Sequence, residues 1–91
     1  SAFAQYHWKT HQFLIMRKKK IKGKVVYLEL EGGIWGIVDD KGRDWMPVNM
    51  PFEIMKDGLI VEVEAQKVSD FMSGAMWGTP IEISNFQILP S

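Results

Sequence analysis

The chain has no cysteine, and that absence excludes a disulfide framework, a zinc finger and thiol catalysis, while leaving cytosolic and exported compartments equally open. Its two histidines, His7 and His11, both lie in the first dozen residues. Ser69, Ser73 and Ser84 therefore have no base near them in sequence, so a nucleophile–base pair is not expected and the chain reads as a protein without catalytic activity. No uninterrupted apolar run is longer than that at Phe13–Met16, far short of the roughly 20 residues of a membrane-crossing helix. Acid is missing from the whole of residues 1–24.

What is present is an ordinary globular balance, 46% hydrophobic and 24% charged, in 91 residues, enough for one small core. The formal net charge of +0 hides a division along the chain. Lys9, Arg17, Lys18, Lys19, Lys20, Lys22 and Lys24 stand unopposed in the first 24 residues, and the remainder sets Lys41, Arg43, Lys56 and Lys67 against all eleven acids. The expected organisation is an N-terminal basic arm over 1–19 and a β domain over 20–91. The run Arg17, Lys18, Lys19, Lys20, Lys22 and Lys24 is the candidate polyanion-binding segment, free for phosphates or folded back on the acidic body.

Alternation and turn residues predict five strands. From Lys24 to Glu31 the apolar face is read as Val26, Leu28 and Leu30, with Val25, Tyr27, Glu29 and Glu31 opposite. Gly32 and Gly33 break the run, Ile34–Val38 resumes it, and Asp39, Asp40, Lys41 and Gly42 form a hairpin loop before Arg43–Val48. Gly36 is expected to mark a bulge or bend. Pro47 and Pro51 end the third strand, and Phe52–Lys56 has room for one helical turn. Leu59, Val61, Val63 and Ala65 alternate with Ile60, Glu62, Glu64 and Gln66 as a fourth strand. After a loop over Ser69–Thr79, Pro80–Leu89 makes the fifth, with a bulge expected at Ser84 and Asn85, where the apolar phase shifts.

The glycine-bent first pair, the Asp39–Gly42 hairpin, the run Lys56–Val61 and the closing Gly78–Ile83 resemble the OB-fold over about residues 20–90, with a single turn where that fold often carries a helix. The expected fold is all-β: a five-stranded antiparallel OB-like barrel. The resemblance implies a binding surface on strands two and three and the adjoining loops, which here hold Trp35, Arg43 and Trp45, with Phe71, Met72, Met76 and Trp77 in the last loop. Aromatics in that position stack bases, yet the outward acids Glu29, Glu31, Glu62, Glu64 and Glu82 repel a phosphate backbone. A protein partner, or self-association through an exposed strand edge, is therefore the leading expectation. Single-stranded nucleic acid or another polyanion is the alternative.

Metal chemistry has thin support. Asp39, Asp40 and Asp44 read as turn residues whose carboxylates accept backbone hydrogen bonds. His7 and His11 share a helical spacing but have no further ligand near them, and no cofactor is expected. Met72 and Met76 beside Trp77 suggest a soft site for monovalent copper if the chain is exported. Ala2, Phe3 and Ala4 resemble the end of a secretory cleavage site; on another reading, residues 1–15 are an extension upstream of a start at Met16.

Overall fold

The computed structural model describes residues 18–68 and 77–90. Its shape is set by one long strand, β1 (Lys19–Leu28), which is shared between two neighbours. The first half pairs with β4 (Ile60–Lys67) from Lys19 opposite Ala65 to Lys24 opposite Ile60. The second half pairs with β2 (Ile34–Asp39) from Gly23 opposite Asp39 to Leu28 opposite Ile34. The two registers overlap at Gly23 and Lys24, and there the strand turns the barrel's corner. Gly23 is buried at that corner, where a Cβ would stand 2.8 Å from Asp39 Cα and closer still to the Val38 carbonyl oxygen, so only glycine lets the two backbones approach.

β3 (Asp44–Pro47) pairs with β2, and β5 (Thr79–Ile88) lies between β3 and β4, closing the barrel in the order β1-β2-β3-β5-β4. The sheet is mixed, which corrects the expectation of a purely antiparallel barrel. β3 and β5 run parallel, Trp45 opposite Thr79 and Pro47 opposite Ile81. The reason is topological: the chain leaves β3, crosses one end of the barrel through a 3-10 turn at Phe52–Ile54, runs back along β4 and re-enters beside β3 in the same direction.

The parallel seam is extended by a side chain. Val48 donates its amide to the Ile81 carbonyl at 2.8 Å. One residue on, the Asn49 carboxamide accepts from the Ile83 amide and donates to the Ile83 carbonyl, both at 2.8 Å. The Asn49 amide thus stands in for a peptide group. Asn49→Ala loses both bonds and is expected to cost about 1–3 kcal/mol in urea unfolding, with Asn49→Asp costing more because it sets a carboxylate against the Ile83 carbonyl.

Ile21, Val25, Ile37, Trp45, Ile54, Val61, Val63, Ala65, Ile81 and Ile83 fill the interior. The fourth strand faces inward as its alternation predicts. β1 does not: Ile21, Gly23 and Val25 point in, Val26 and Leu28 are half-buried and Leu30 is exposed. Val25 and Val26 are both apolar, so either phase of the strand looks amphipathic, and Ile21, upstream of the alternating stretch, decides between them. In β5, Glu64 faces Asn85 while Ala65 faces Ile83, leaving Ser84 as the extra residue of a bulge at the expected place. The bulge shifts the phase so that Phe86 rejoins Ile81 and Ile83 against the core.

The barrel has two unlike ends. At one, the β2–β3 hairpin meets the starts of β1 and β5 and the end of β4. At the other, the β1–β2 turn meets the Phe52–Ile54 turn, the start of β4 and the end of β5, with Ile54 fully buried as the plug. We call these the hairpin end and the cap end. The β1–β2 turn has positive φ at Glu31 and Gly32 and is closed by the Gly33 amide on the Leu30 carbonyl at 2.8 Å, as in the type I′ turns that match strand twist.

Candidate functional site

The β2–β3 hairpin is organised around Asp39. Its Oδ1 accepts the backbone amides of Lys41 at 2.9 Å and Arg43 at 2.8 Å. Its Oδ2 accepts the Arg43 Nε at 2.8 Å and the Trp45 indole N–H at 2.9 Å. The loop closes through the Asp39 amide on the Arg43 carbonyl at 2.9 Å, with Gly42 at positive φ. Burial pushes the Asp39 carboxyl up, but the bonds from the Trp45 indole, the Arg43 amide and guanidinium and the Lys41 amide outweigh it and hold the group well below the usual carboxylate range. The expectation that an aspartate here accepts backbone hydrogen bonds is met. That Asp39 is also buried, holding the exposed Arg43 on one side and the buried Trp45 on the other, is not visible in the loop sequence.

This arrangement reassigns part of the expected aromatic face. Trp45 is 4% exposed, and Lys19 Nζ and Arg43 Cζ lie 5.3 and 5.6 Å from its ring centroid. A stacking platform needs an open ring face, so Trp45 is a core residue here. Arg43 remains exposed on its outer side while its Nε is engaged with Asp39. Trp35 is half-buried against the core and packs on Tyr27, ring centroids 4.9 Å apart at 59°. Phe71, Met72, Met76 and Arg17, with His7 and His11, lie outside the described residues.

Trp77 lies against the outside of β2. A Cβ on Gly36 would come within 2.9 Å of Trp77 Cη2 and closer to Cζ3. Gly36 therefore makes room for an indole; the β1–β2 register passes Val26 opposite Gly36 without a break, so the expected bulge is absent. Gly78 assists by letting the chain pass the Asp44 backbone, where a Cβ would meet the carbonyl at 2.9 Å. Gly36→Val is expected to displace the Trp77 ring and red-shift tryptophan emission while leaving the far-UV circular dichroism of the barrel in place.

Lys19, Lys20, Lys22 and Lys24 belong to β1 and so to the barrel wall. Lys20 stands opposite Glu64 and Lys22 opposite Glu62 on β4. Each such surface cross-strand pair contributes little stability, about 0.2–1 kcal/mol. The larger consequence is that the basic stripe runs beside an acidic one, which weakens its field for a polyanion. Lys24 differs, with Ile60 on one side and Val38 on the other, and a shallow, mostly apolar groove of about 410 Å³ is lined there by Lys22, Gly23, Lys24, Val38, Asp40 and Ile60. Among the described residues no three His, Asp or Glu side chains gather into a metal-binding group.

The sequence matches no protein-family model, no curated protein and no solved structure closely enough to mark a relative. What fold and surface define is a class, a small closed five-stranded β-barrel with a carboxylate-centred hairpin, and no helix among its described residues is long and apolar enough to cross a membrane.

Proposed function

We propose that this chain is a non-enzymatic binding module, an OB-like barrel that engages a protein partner. The strand order and the parallel β3–β5 seam are compatible with that fold type. The observation that carries the reading is where the exposed apolar surface lies. Tyr27, Leu30, Phe52 and Ile88 are the exposed large hydrophobic side chains among the described residues, and all four belong to elements that meet at the cap end. Scattered apolar residues need no explanation, but a gathering of large ones at one end of a small domain marks an interaction surface.

The second reading, a polyanion or single-strand binder, draws on the hairpin end, where Lys18, Lys19, Lys41, Arg43 and Lys67 gather with Trp77 nearby. Asp40, Asp44 and the buried Asp39 lie among them. Titration with a short oligo-dT and oligo-rU at low and moderate salt, followed by tryptophan fluorescence, separates the two readings. A protein-binding module gives no salt-sensitive quenching; quenching that fades as salt rises puts the polyanion reading first.

A further inference from the structure

We propose that the cap end docks a basic, apolar polypeptide segment, a short stretch in which Lys or Arg alternates with large aliphatic or aromatic side chains. This rests on the protein-binding reading above and names the partner's chemistry.

Phe52 is 84% exposed, Ile88 49%, Tyr27 45% and Leu30 42%. Tyr27 is in phase with the buried Ile21 and Val25, yet β1 carries it past the rim of the core. There its ring rests on Trp35 and its hydroxyl fits into the space left by the absent Cβ of Gly33. Its amide is held by Asp57 Oδ1 at 2.9 Å, so this aromatic is fixed in place by both neighbours before any partner arrives. A preorganised ring loses little entropy on binding, which is what an anchor residue requires. Phe52 sits on the turn whose next-but-one residue, Ile54, is buried at the bottom of the core, so its backbone is equally anchored while its ring faces solvent.

Charge then selects the partner. The segments that form the cap end carry Glu29 and Glu31 in the β1–β2 turn and Glu53 and Asp57 in the crossing, against Lys56 in the crossing and Lys24 on β1 opposite Ile60, the first residue of β4. Among the described residues the hairpin end sets Lys18, Lys19, Lys41, Arg43 and Lys67 against Asp39, Asp40 and Asp44, a surplus of base where the cap end has a surplus of acid. An anionic partner, whether nucleic acid or an acidic peptide, meets like charge at the end where the apolar surface is. A cationic segment meets its complement there and is steered toward it, with its apolar residues placed on Leu30, Tyr27, Phe52 and Ile88. The Phe52–Ile54 turn closes this end with Ile54 buried beneath it, so a bound segment lies over the turn and does not enter the barrel.

The test is a selection of a phage-displayed random peptide library, about twelve residues long, on the full immobilised chain. The expected winners combine Lys or Arg with Leu, Phe, Ile or Met, and they bind more weakly as salt rises. Their affinity is expected to fall about tenfold or more in a Leu30→Ser/Phe52→Ser chain and in a Glu29→Lys/Glu31→Lys chain, since anchor residues dominate such interfaces. It is expected to hold within about twofold in a Lys41→Glu/Lys67→Glu chain altered at the opposite end. All six positions are on the surface, and melting curves confirm that each variant is folded. Selection of acidic or uncharged peptides, or equal losses at both ends, overturns the basic-segment proposal while leaving a protein-binding module. Absence of any enrichment over blank resin, or capture of the chain by phosphatidylcholine vesicles through Leu30 and Phe52, overturns the protein-binding reading along with it.

Discussion

A Gly23→Val chain is expected to lose its cooperative thermal transition, and Gly23→Ala to melt roughly 15 °C or more below the parent. No other described glycine has backbone so near on the facing strand: the added Cβ meets the Val38 carbonyl oxygen and the Asp39 Cα at once. These are main-chain atoms of a paired strand, so no rotamer change relieves the contact. Separating the strands removes the pairing of Gly23 with Asp39 and of Lys24 with Val38, and with it the corner at which β1 passes from one neighbour to the other. The damage reaches the hairpin too, because Asp39 is the residue displaced. Circular dichroism melts of the two variants check this; a Gly23→Ala chain that melts within a few degrees of the parent contradicts the described corner.

The second large effect is expected at Asp39. In Asp39→Asn one carboxylate oxygen becomes an NH2 donor. With the remaining oxygen toward the Lys41 and Arg43 amides, that donor faces the Arg43 Nε and the Trp45 indole N–H; the reverse orientation confronts the two amides instead. Either way donors face donors: the first orientation leaves the buried Trp45 N–H without its acceptor, the second the part-buried amides of Lys41 and Arg43. A loss of roughly 10 °C or more in melting temperature at pH 7 is expected for Asp39→Asn.

The sign of its pH dependence follows from the lowered carboxyl of the folded state. A depressed carboxylate contributes stability that is complete above the unfolded-state value, about 4, and that is lost progressively as pH falls from there through the folded-state value. The parent therefore loses stability on acidification from pH 5 to pH 2 more steeply than Asp39→Asn, and the gap between their melting temperatures narrows. A gap that widens toward low pH contradicts the described bonding.

Local features of this fold were legible in the sequence where one rule applied without competition. From Val61 the fourth strand alternates between valine or alanine and charged or amide residues, and Val61, Val63 and Ala65 are the buried ones. The phase shift between Ile83 and Phe86 has one economical explanation, a bulge, and Ser84 provides it. The first strand escapes the same rule because Val25 and Val26 satisfy both phases, and because its first five residues lie within the basic run and yet belong to the strand. Gly36 shows another limit. A glycine in a strand is compatible with a bulge or with a close neighbour, and the neighbour here, Trp77, comes from a distant part of the chain.

The remaining features depend on contacts far apart in sequence. Asn49 is an ordinary polar residue between two prolines, and its work on Ile83 exists only once β5 lies alongside. The parallel seam follows from the crossing over the cap end. Of the expected aromatic set, Trp45 is turned into the core by a carboxylate six residues earlier. A composition that expects large aromatics inside a small domain gives no reason to find Phe52 outside. The basic run reads as either free for phosphates or folded back on the acidic body, because no acid is near in sequence; the acids that face its part in β1, Glu62 and Glu64, come from the fourth strand.

Under the proposal above, binding belongs to the cap end and not to the barrel wall or the hairpin end. The most direct measurement is the change in backbone amide chemical shifts of the full chain on adding a twelve-residue peptide of repeating Lys-Leu-Arg-Phe. The expected shifts cluster at Tyr27–Gly33, at Phe52–Gly58 and around Ile88, and weaken with salt. Shifts centred on Gly36, Lys41, Arg43 and Trp77, or none anywhere, contradict it.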